Sequence, residues 1–208
     1  MPKKRLGILL SGRGSNFEAI ANNIEKGVLD AEIAIVVSNV ADARGLEVAR
    51  QRKLNAYFVD PHGKSREAFD REVVALLQKN HVDLVCLAGY MRILSPQFIQ
   101  QFPYRILNIH PALLPAFKGL DAQKQALEHG VKVTGCTVHF VDEGIDSGPI
   151  LLQTAVPVEE NDTVESLSQR ILREEHRLYS EAIRLVLEGR VQIEGRSVLA
   201  ANRRVGAN

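Results

Sequence analysis

The chain of 208 residues contains no tryptophan, only two cysteines and two methionines, and just 5% aromatic residues. Cys86 and Cys136 are far apart, and each lies in an apolar segment, so both are expected as small buried core residues rather than a disulfide or catalytic pair. Neither cysteine has zinc-ligand spacing, and the histidines lack ligand spacing too, so no metal is expected. Net charge is also scarce, since 26 Lys and Arg against 25 Asp and Glu leave +1. That removes the bulk electrostatic case for nucleic acid or a membrane surface. The cluster Lys3-Lys4-Arg5 is too short to be a polyanion-binding or nuclear signal. No apolar run approaches a membrane span, and Leu6–Leu10 is too short for a signal peptide. The chain has no repeats, low-complexity tract or inter-domain linker. A cytoplasmic protein is expected.

Hydrophobic residues make up 45% and charged residues 25%, the profile of a globular protein. The length fits one domain, large enough to bury a core without disulfides or metal. Arg5–Leu10 reads as a buried strand ending in Ser11-Gly-Arg-Gly-Ser-Asn16. Apolar residues at 17, 20, 21 and 24 then recur at helical spacing, with Ser15 or Asn16 as N-cap. Ile33–Val37 is a second strand, and Asp42 caps a helix running to about Arg52. Ala56–Val59 is a third strand. Ser65 starts a helix with Phe69, Val73, Leu76 and Leu77 on one face and a Glu67–Arg71 pair. Val82–Ala88 is a fourth strand, and Ser95-Pro96 opens a short helix. Asp121 opens another helix to about His129. Val133–Val141 alternates as a strand, and Ile150–Val158 follows. Asp162 or Thr163 caps a long helix, Val164–Glu188. Residues 192–200 suit a hairpin turning at Glu194-Gly195, and the last eight residues are polar and expected to fray.

Four β/α alternations followed by strand pairs imply an α/β fold. It should be a single domain, 1–208, with an open, mostly parallel sheet, flanking helices and antiparallel strands toward the C-terminal half. Ligands of such sheets sit at the carboxyl ends of strands. The stretch Ile106-Leu-Asn-Ile-His-Pro-Ala-Leu-Leu-Pro115 meets that condition. Asn108 and His110 are two apart, so on a strand they project from one face. Pro111 holds His110 extended. An amide donor beside a titratable ring suits a carbonyl oxygen that becomes negative during reaction. Ser11–Asn16 looks like an anion cradle, with glycines for close approach and a helix N-terminus behind them. It departs from both the Walker loop and the full dinucleotide fingerprint, which favours a single phosphate. Asp142–Gly148 supplies two aspartates, and Asp146 is the preferred neighbour of His110, although spacing alone leaves Asp142 open. An aspartate there is expected to favour the imidazolium.

Five motifs resemble the phosphoribosylglycinamide formyltransferases, folate-dependent enzymes of purine synthesis, over essentially the whole length. They are Ser-Gly-Arg-Gly-Ser-Asn at 11–16, Leu-Ala-Gly-Tyr-Met-Arg-Ile-Leu-Ser-Pro at 87–96, Asn-Ile-His-Pro-Ala-Leu-Leu-Pro at 108–115, Gly-Cys-Thr-Val-His-Phe-Val at 135–141 and Asp-Ser-Gly-Pro-Ile at 146–150. The resemblance implies a phosphate-binding Rossmann-like half, 1–105, and a catalytic and folate-binding half, 106–208. It implies that Gly14, Ser15, Asn16 and Glu175 hold glycinamide ribonucleotide. It implies that 10-formyltetrahydrofolate, the co-substrate, meets Arg66, Met91, Arg92, Ile93, Leu94, Asn108, Asp142, Glu143, Gly144, Ile145 and Asp146. Asn108, His110 and Asp146 are the implied catalytic residues, and Leu114-Pro115 the implied cis peptide. A monomer or homodimer with small-molecule partners is expected. His139 reads as structural, and His62, His81 and His129 as exposed.

A formyltetrahydrofolate hydrolase shares the Asn, His and Asp, but its relatives carry an N-terminal regulatory domain for which this chain leaves no room. A methionyl-tRNA formyltransferase calls for a longer, more basic chain. A folate- or nucleotide-binding module without turnover is expected to show a degraded site, whereas all three implied catalytic residues are present. Gly144 and Gly148 mark the Asp142–Pro149 loop as a candidate for motion.

Overall fold

A computed structural model describes residues 2–200. In chain order the elements are β1 (Lys4–Leu10), α1 (Ser15–Glu25), β2 (Ala31–Ser38), α2 (Arg44–Gln51), β3 (Ala56–Phe58), α3 (Arg66–Lys79), β4 (Leu84–Leu87) and α4 (Pro96–Gln101). They continue with β5 (Ile106–His110), α5 (Ala122–Glu128), β6 (Val133–Phe140), β7 (Ile150–Pro157), α6 (Val164–Leu187), β8 (Val191–Glu194) and β9 (Ser197–Ala200). Seven strands form one sheet in the order β3-β2-β1-β4-β5-β6-β7, and β8-β9 forms a separate hairpin. Strands β1 to β5 run parallel, while β6 and β7 are added antiparallel. The expected mostly parallel sheet with late antiparallel strands is therefore present. The tail expected to fray lies outside the described residues.

Strand alternation assigns each residue to one of two apolar layers. Leu6, Ile8, Leu10, Leu107 and Ile109 pack on one face with Phe17 and Ile20 of α1 and Leu167, Ile171 and Tyr179 of α6. Leu9, Val85, Leu87 and Ile106 pack on the other with Phe69, Val73 and Leu77 of α3 and Phe98 and Phe102. By the same parity, Asn108 and His110 project from the α3 face, away from α6. Cys86 and Cys136 are buried free thiols, as expected.

Three helix starts match the sequence. The side chains of Ser65, Ser95 and Thr163 accept from first-turn N–H groups of α3, α4 and α6. Two differ. The residue preceding α1 is Gly14, at φ 79, rather than Ser15 or Asn16, because the loop turns through a left-handed step before the helix. Helix α2 begins after Ala43, and Asp42 makes no capping bond. Asp121 opens α5 as expected, from a left-handed conformation and without a side-chain capping bond. The expected Glu67–Arg71 pair is replaced by contacts of Glu67 with Arg66 and Glu72 with Lys64.

Loops after β1 and β4 meet where the strand order reverses. Ser11 N donates to Gly89 O at 3.0 Å, and Met91 N donates to Ser11 Oγ at 2.8 Å. On the opposite face of the sheet, Tyr179 anchors α6 to β4, which carries one of these loops, and to β5, which carries the catalytic candidates. Its fully buried hydroxyl lies 3.0 Å from Leu87 O and 2.9 Å from Leu107 O. Burial pushes the phenol well above its usual pKa, so it stays a donor. Tyr179→Phe is expected to cost about 1–2 kcal/mol by stripping both carbonyls of that donor. A urea midpoint equal to the wild type would contradict this.

Candidate active site

Asn108 and His110 end β5, and the antiparallel register places His139 of β6 opposite Asn108 and Thr137 opposite His110. Four polar side chains thus share one patch of the sheet. The acidic loop after β6 then folds back over the patch and inserts Asp146. Asp146 Oδ1 lies 3.3 Å from Asn108 Nδ2 and 3.6 Å from His139 Nε2. Asp146 Oδ2 lies 3.3 Å from His110 Nδ1 and accepts from Gly119 N at 2.9 Å. Asp146 is therefore the aspartate beside His110. Asp142 faces its own loop, accepting from Ser147 Oγ and Gly144 N.

His139 is the residue that pattern reading assigned too little. Its Nδ1 lies 2.9 Å from Phe140 O, which places a proton there and leaves Nε2 to accept from Asn108 Nδ2 at 3.2 Å. Both amide hydrogens of Asn108 are thereby engaged, one by His139 and one by Asp146. The alternation of Thr137 and His139 was visible in the sequence. Their register against Asn108 was not. Thr137 is fully buried and anchors the start of the next loop, donating to Ala112 O at 2.7 Å and accepting from Leu114 N at 3.0 Å. Leu114-Pro115 in that loop is cis, as the resemblance implied. His62, His81 and His129 are exposed, as expected.

The expected charge state of His110 is corrected. Its side chain is only 5% exposed, and burial pulls its pKa below the ordinary 6.5 despite the opposing field of Asp146. Burial thus favours the neutral ring. Yet both of its nitrogens face acceptors, Nε2 at 2.8 Å from Phe117 O and Nδ1 beside Asp146. One of these contacts is unsatisfied until a second proton arrives, so the geometry is built for an imidazolium that burial alone disfavours. Burial pushes the Asp146 carboxyl up, but the neighbouring His139 side chain, the hydrogen bond from Gly119 N and the nearby His110 ring outweigh it and hold it low.

The glycine loop is as tight as expected. Gly14 packs so closely on α2 that a Cβ would stand 2.8 Å from the Cα of Gly45, and Gly45 N donates to Gly12 O at 3.0 Å. The part played by Gly45 had no signal in the sequence. No side chain caps the first turn of α1 among the described residues, so its N–H groups remain available to an anion. Asn16 Nδ2 donates to Glu175 Oε2 at 2.7 Å, joining two implied ribonucleotide contacts from opposite ends of the chain. Asn16 Oδ1 is buried without a hydrogen-bond partner among the described residues.

The implied folate wall divides in two. Met91 and Ile93 are 64% and 52% exposed, and Ile145 of the acidic loop is 53% exposed. Leu94 is buried in the core, and Arg92 turns back so that its guanidinium lies 4.3 Å from the Phe69 ring centroid. Arg92 and Leu94 can serve the pocket through their backbone, not their side chains. Arg66 is exposed at the start of α3, as are Glu143 and Gly144 in the acidic loop. A Cβ at Gly144 would lie 2.1 Å from Ser147 Oγ and one at Gly148 1.9 Å from Phe140 O. Those glycines permit close packing. Among the described residues no group of His, Cys, Asp and Glu is arranged to hold a metal ion, and no helix is long and apolar enough to cross a membrane.

The sequence profile of the family described as Formyl transferase matches residues 4–183, and the chain belongs to that family. The crystal structure of glycinamide ribonucleotide transformylase 1 from Symbiobacterium toebii superposes with a TM-score of 0.94 at 57% identity, covering 96% of this chain and 95% of that one. Phosphoribosylglycinamide formyltransferase of Bacillus subtilis is 40% identical over 88% of this chain and 95% of its own length, which sets the chain among the phosphoribosylglycinamide formyltransferases. Trifunctional purine biosynthetic protein adenosine-3 of Gallus gallus is 48% identical over 92% of this chain, but the chain spans only 19% of that protein.

Two outcomes follow from the charges. A depressed histidine pKa favours the neutral ring, a contribution present above pH 6.5 and lost as pH falls through the folded-state value. The His110 ring should therefore titrate below 6.5 by NMR, and lower still in Asp146→Asn, where the opposing carboxylate is gone. An upward move in that variant would show that Asp146 does not support the proton. Burial raises the Glu175 carboxyl above 4.5, with Asn16 opposing. Its contribution is favourable below that pH and lost as pH rises through the raised value. Glu175→Gln should therefore raise the melting temperature at pH 7 by about 2–4 °C and give no gain at pH 4. Calorimetry at both pH values checks this.

Proposed function

We propose that the chain transfers the formyl group of 10-formyltetrahydrofolate to the amine of glycinamide ribonucleotide in purine synthesis. The observation that carries the reading is the meeting of the Asn108 amide, the His110 ring and the Asp146 carboxylate within 3.3 Å at the end of β5. The cradle before α1 supports a phosphate site, with the unpartnered Asn16 Oδ1 and Glu175 beside it to receive ribose hydroxyls. The exposed apolar side chains of Met91, Ile93 and Ile145 suit a flat heterocycle.

In this reading the amine nitrogen attacks the formyl carbon, and the carbonyl π pair moves to oxygen. Asn108 must release one of its two amide contacts to donate to that oxyanion. His110 Nε2, which bonds Phe117 O in the free protein, turns its donor to the same atom. The new negative charge offsets the burial that kept the ring neutral, so His110 takes the proton lost by the attacking amine. Its Nδ1–H then pairs with Asp146 while Nε2–H stays on the oxyanion. The proton passes on to N10, the C–N10 bond breaks, and the neutral tetrahydrofolate amine leaves. His139 holds the Asn108 amide in register throughout.

The test is a spectrophotometric assay with 10-formyl-dideazafolate and glycinamide ribonucleotide. Deformylation that depends on ribonucleotide supports the reading. Deformylation without it assigns a hydrolase, and none with both present assigns a binding module. Asn108→Ala and His110→Ala should each lower kcat by ~10²–10³ with the fold retained, and wild-type turnover in either would remove it from the mechanism.

A further inference from the structure

Hairpin β8–β9 takes no part in the seven-stranded sheet. Its residues Val191, Ile193 and Val198 pack as partly buried side chains against the main core, and β9 lies against β7. This docking brings the hairpin turn to the acidic loop. Arg196 Nη2 donates to Ser147 O at 2.6 Å, a contact across 49 residues of sequence. Ser147 directly follows Asp146, whose backbone is left-handed at φ 44, a conformation that aspartate adopts more readily than most side chains.

The loop is held on its other sides as well. Ser147 Oγ donates to Asp142 Oδ1 at 2.6 Å, and Gly148 packs directly on Phe140 O. Those contacts restrain the Ser147 side chain and the exit of the loop. Only Arg196, among the described residues, grips the Ser147 carbonyl, one peptide away from the carboxylate that meets both imidazoles. Guanidinium is suited to this, since it is permanently charged and makes a charge-assisted bond to a carbonyl oxygen.

We infer that Arg196 is a positioning residue for the reaction. By holding Ser147 O it sets the Asp146 carboxylate at its distances from His110 and Asn108. This rests on the role given above to Asp146. Arg196 is exposed, so water competes for the contact, and the effect is that of a small misplacement rather than a lost catalytic group.

The experiment compares full-length wild type, Arg196→Ala, Arg196→Lys and Asp146→Asn. Amide hydrogen exchange across residues 143–148 reads the loop, and kcat with 10-formyl-dideazafolate and glycinamide ribonucleotide reads the chemistry. Arg196→Ala should speed exchange in the loop and lower kcat by roughly tenfold, with KM for ribonucleotide unchanged. Arg196→Lys, which keeps a cationic donor, should recover part of both. Wild-type exchange in Arg196→Ala overturns the grip, whatever the activity. Faster exchange with wild-type kcat overturns its part in the reaction. Wild-type kcat in Asp146→Asn instead fails the role of Asp146, while the exchange data still report whether Arg196 holds the loop.

Discussion

The antiparallel pairing of β6 onto β5 is the constraint on which the site depends. Parallel strands alone would end in separate loops at one edge of the sheet. Reversing direction at β6 sets His139 directly across from Asn108 and Thr137 across from His110. It also makes the loop after β6 start near the beginning of β5, where Val141 N donates to Ile106 O, so that the loop must fold back along β5 to continue. Asp146 is delivered by that return. A one-residue slip in register would turn His139 to the opposite face and leave the Asn108 amide unheld.

Around this pairing the site is a balance of two opposed effects. Burial disfavours charge on His110, while Asp146 and the Phe117 carbonyl both call for a second proton. Neither wins completely in the free protein. A site in this state responds to new negative charge by taking up a proton, which suits a reaction whose intermediate is an oxyanion. The surrounding grips serve the same end. Tyr179 fixes β4 and β5 from behind, Thr137 fixes the proline loop, and Arg196 fixes the acidic loop from the side.

Much of this was legible in the residues themselves. Alternation placed Asn108 and His110 on one face, and serine and threonine caps announced three helices. The glycine spacing marked the cradle before α1. The misreadings have one cause. Asp42 and Ser15 are capping residue types whose backbone is set by neighbours distant in sequence, and Gly45 matters only because Gly14 lies against it. The expected imidazolium failed for a related reason. Proximity of an aspartate could be inferred from the chain, but the depth at which the pair is buried could not.

The sequence by itself determined the order of strands and helices, the identity of the polar residues at the end of β5 and the glycine cradle. These follow from local rules of periodicity, steric freedom and helix-end chemistry. Only the tertiary structure decided the partner of Asn108, the charge of His110, the pairing of Asn16 with Glu175 and the reach of Arg196 to Ser147. Each is a relation between residues far apart in the chain, and its energy depends on register, distance and exclusion of water, quantities that exist only once the chain has folded.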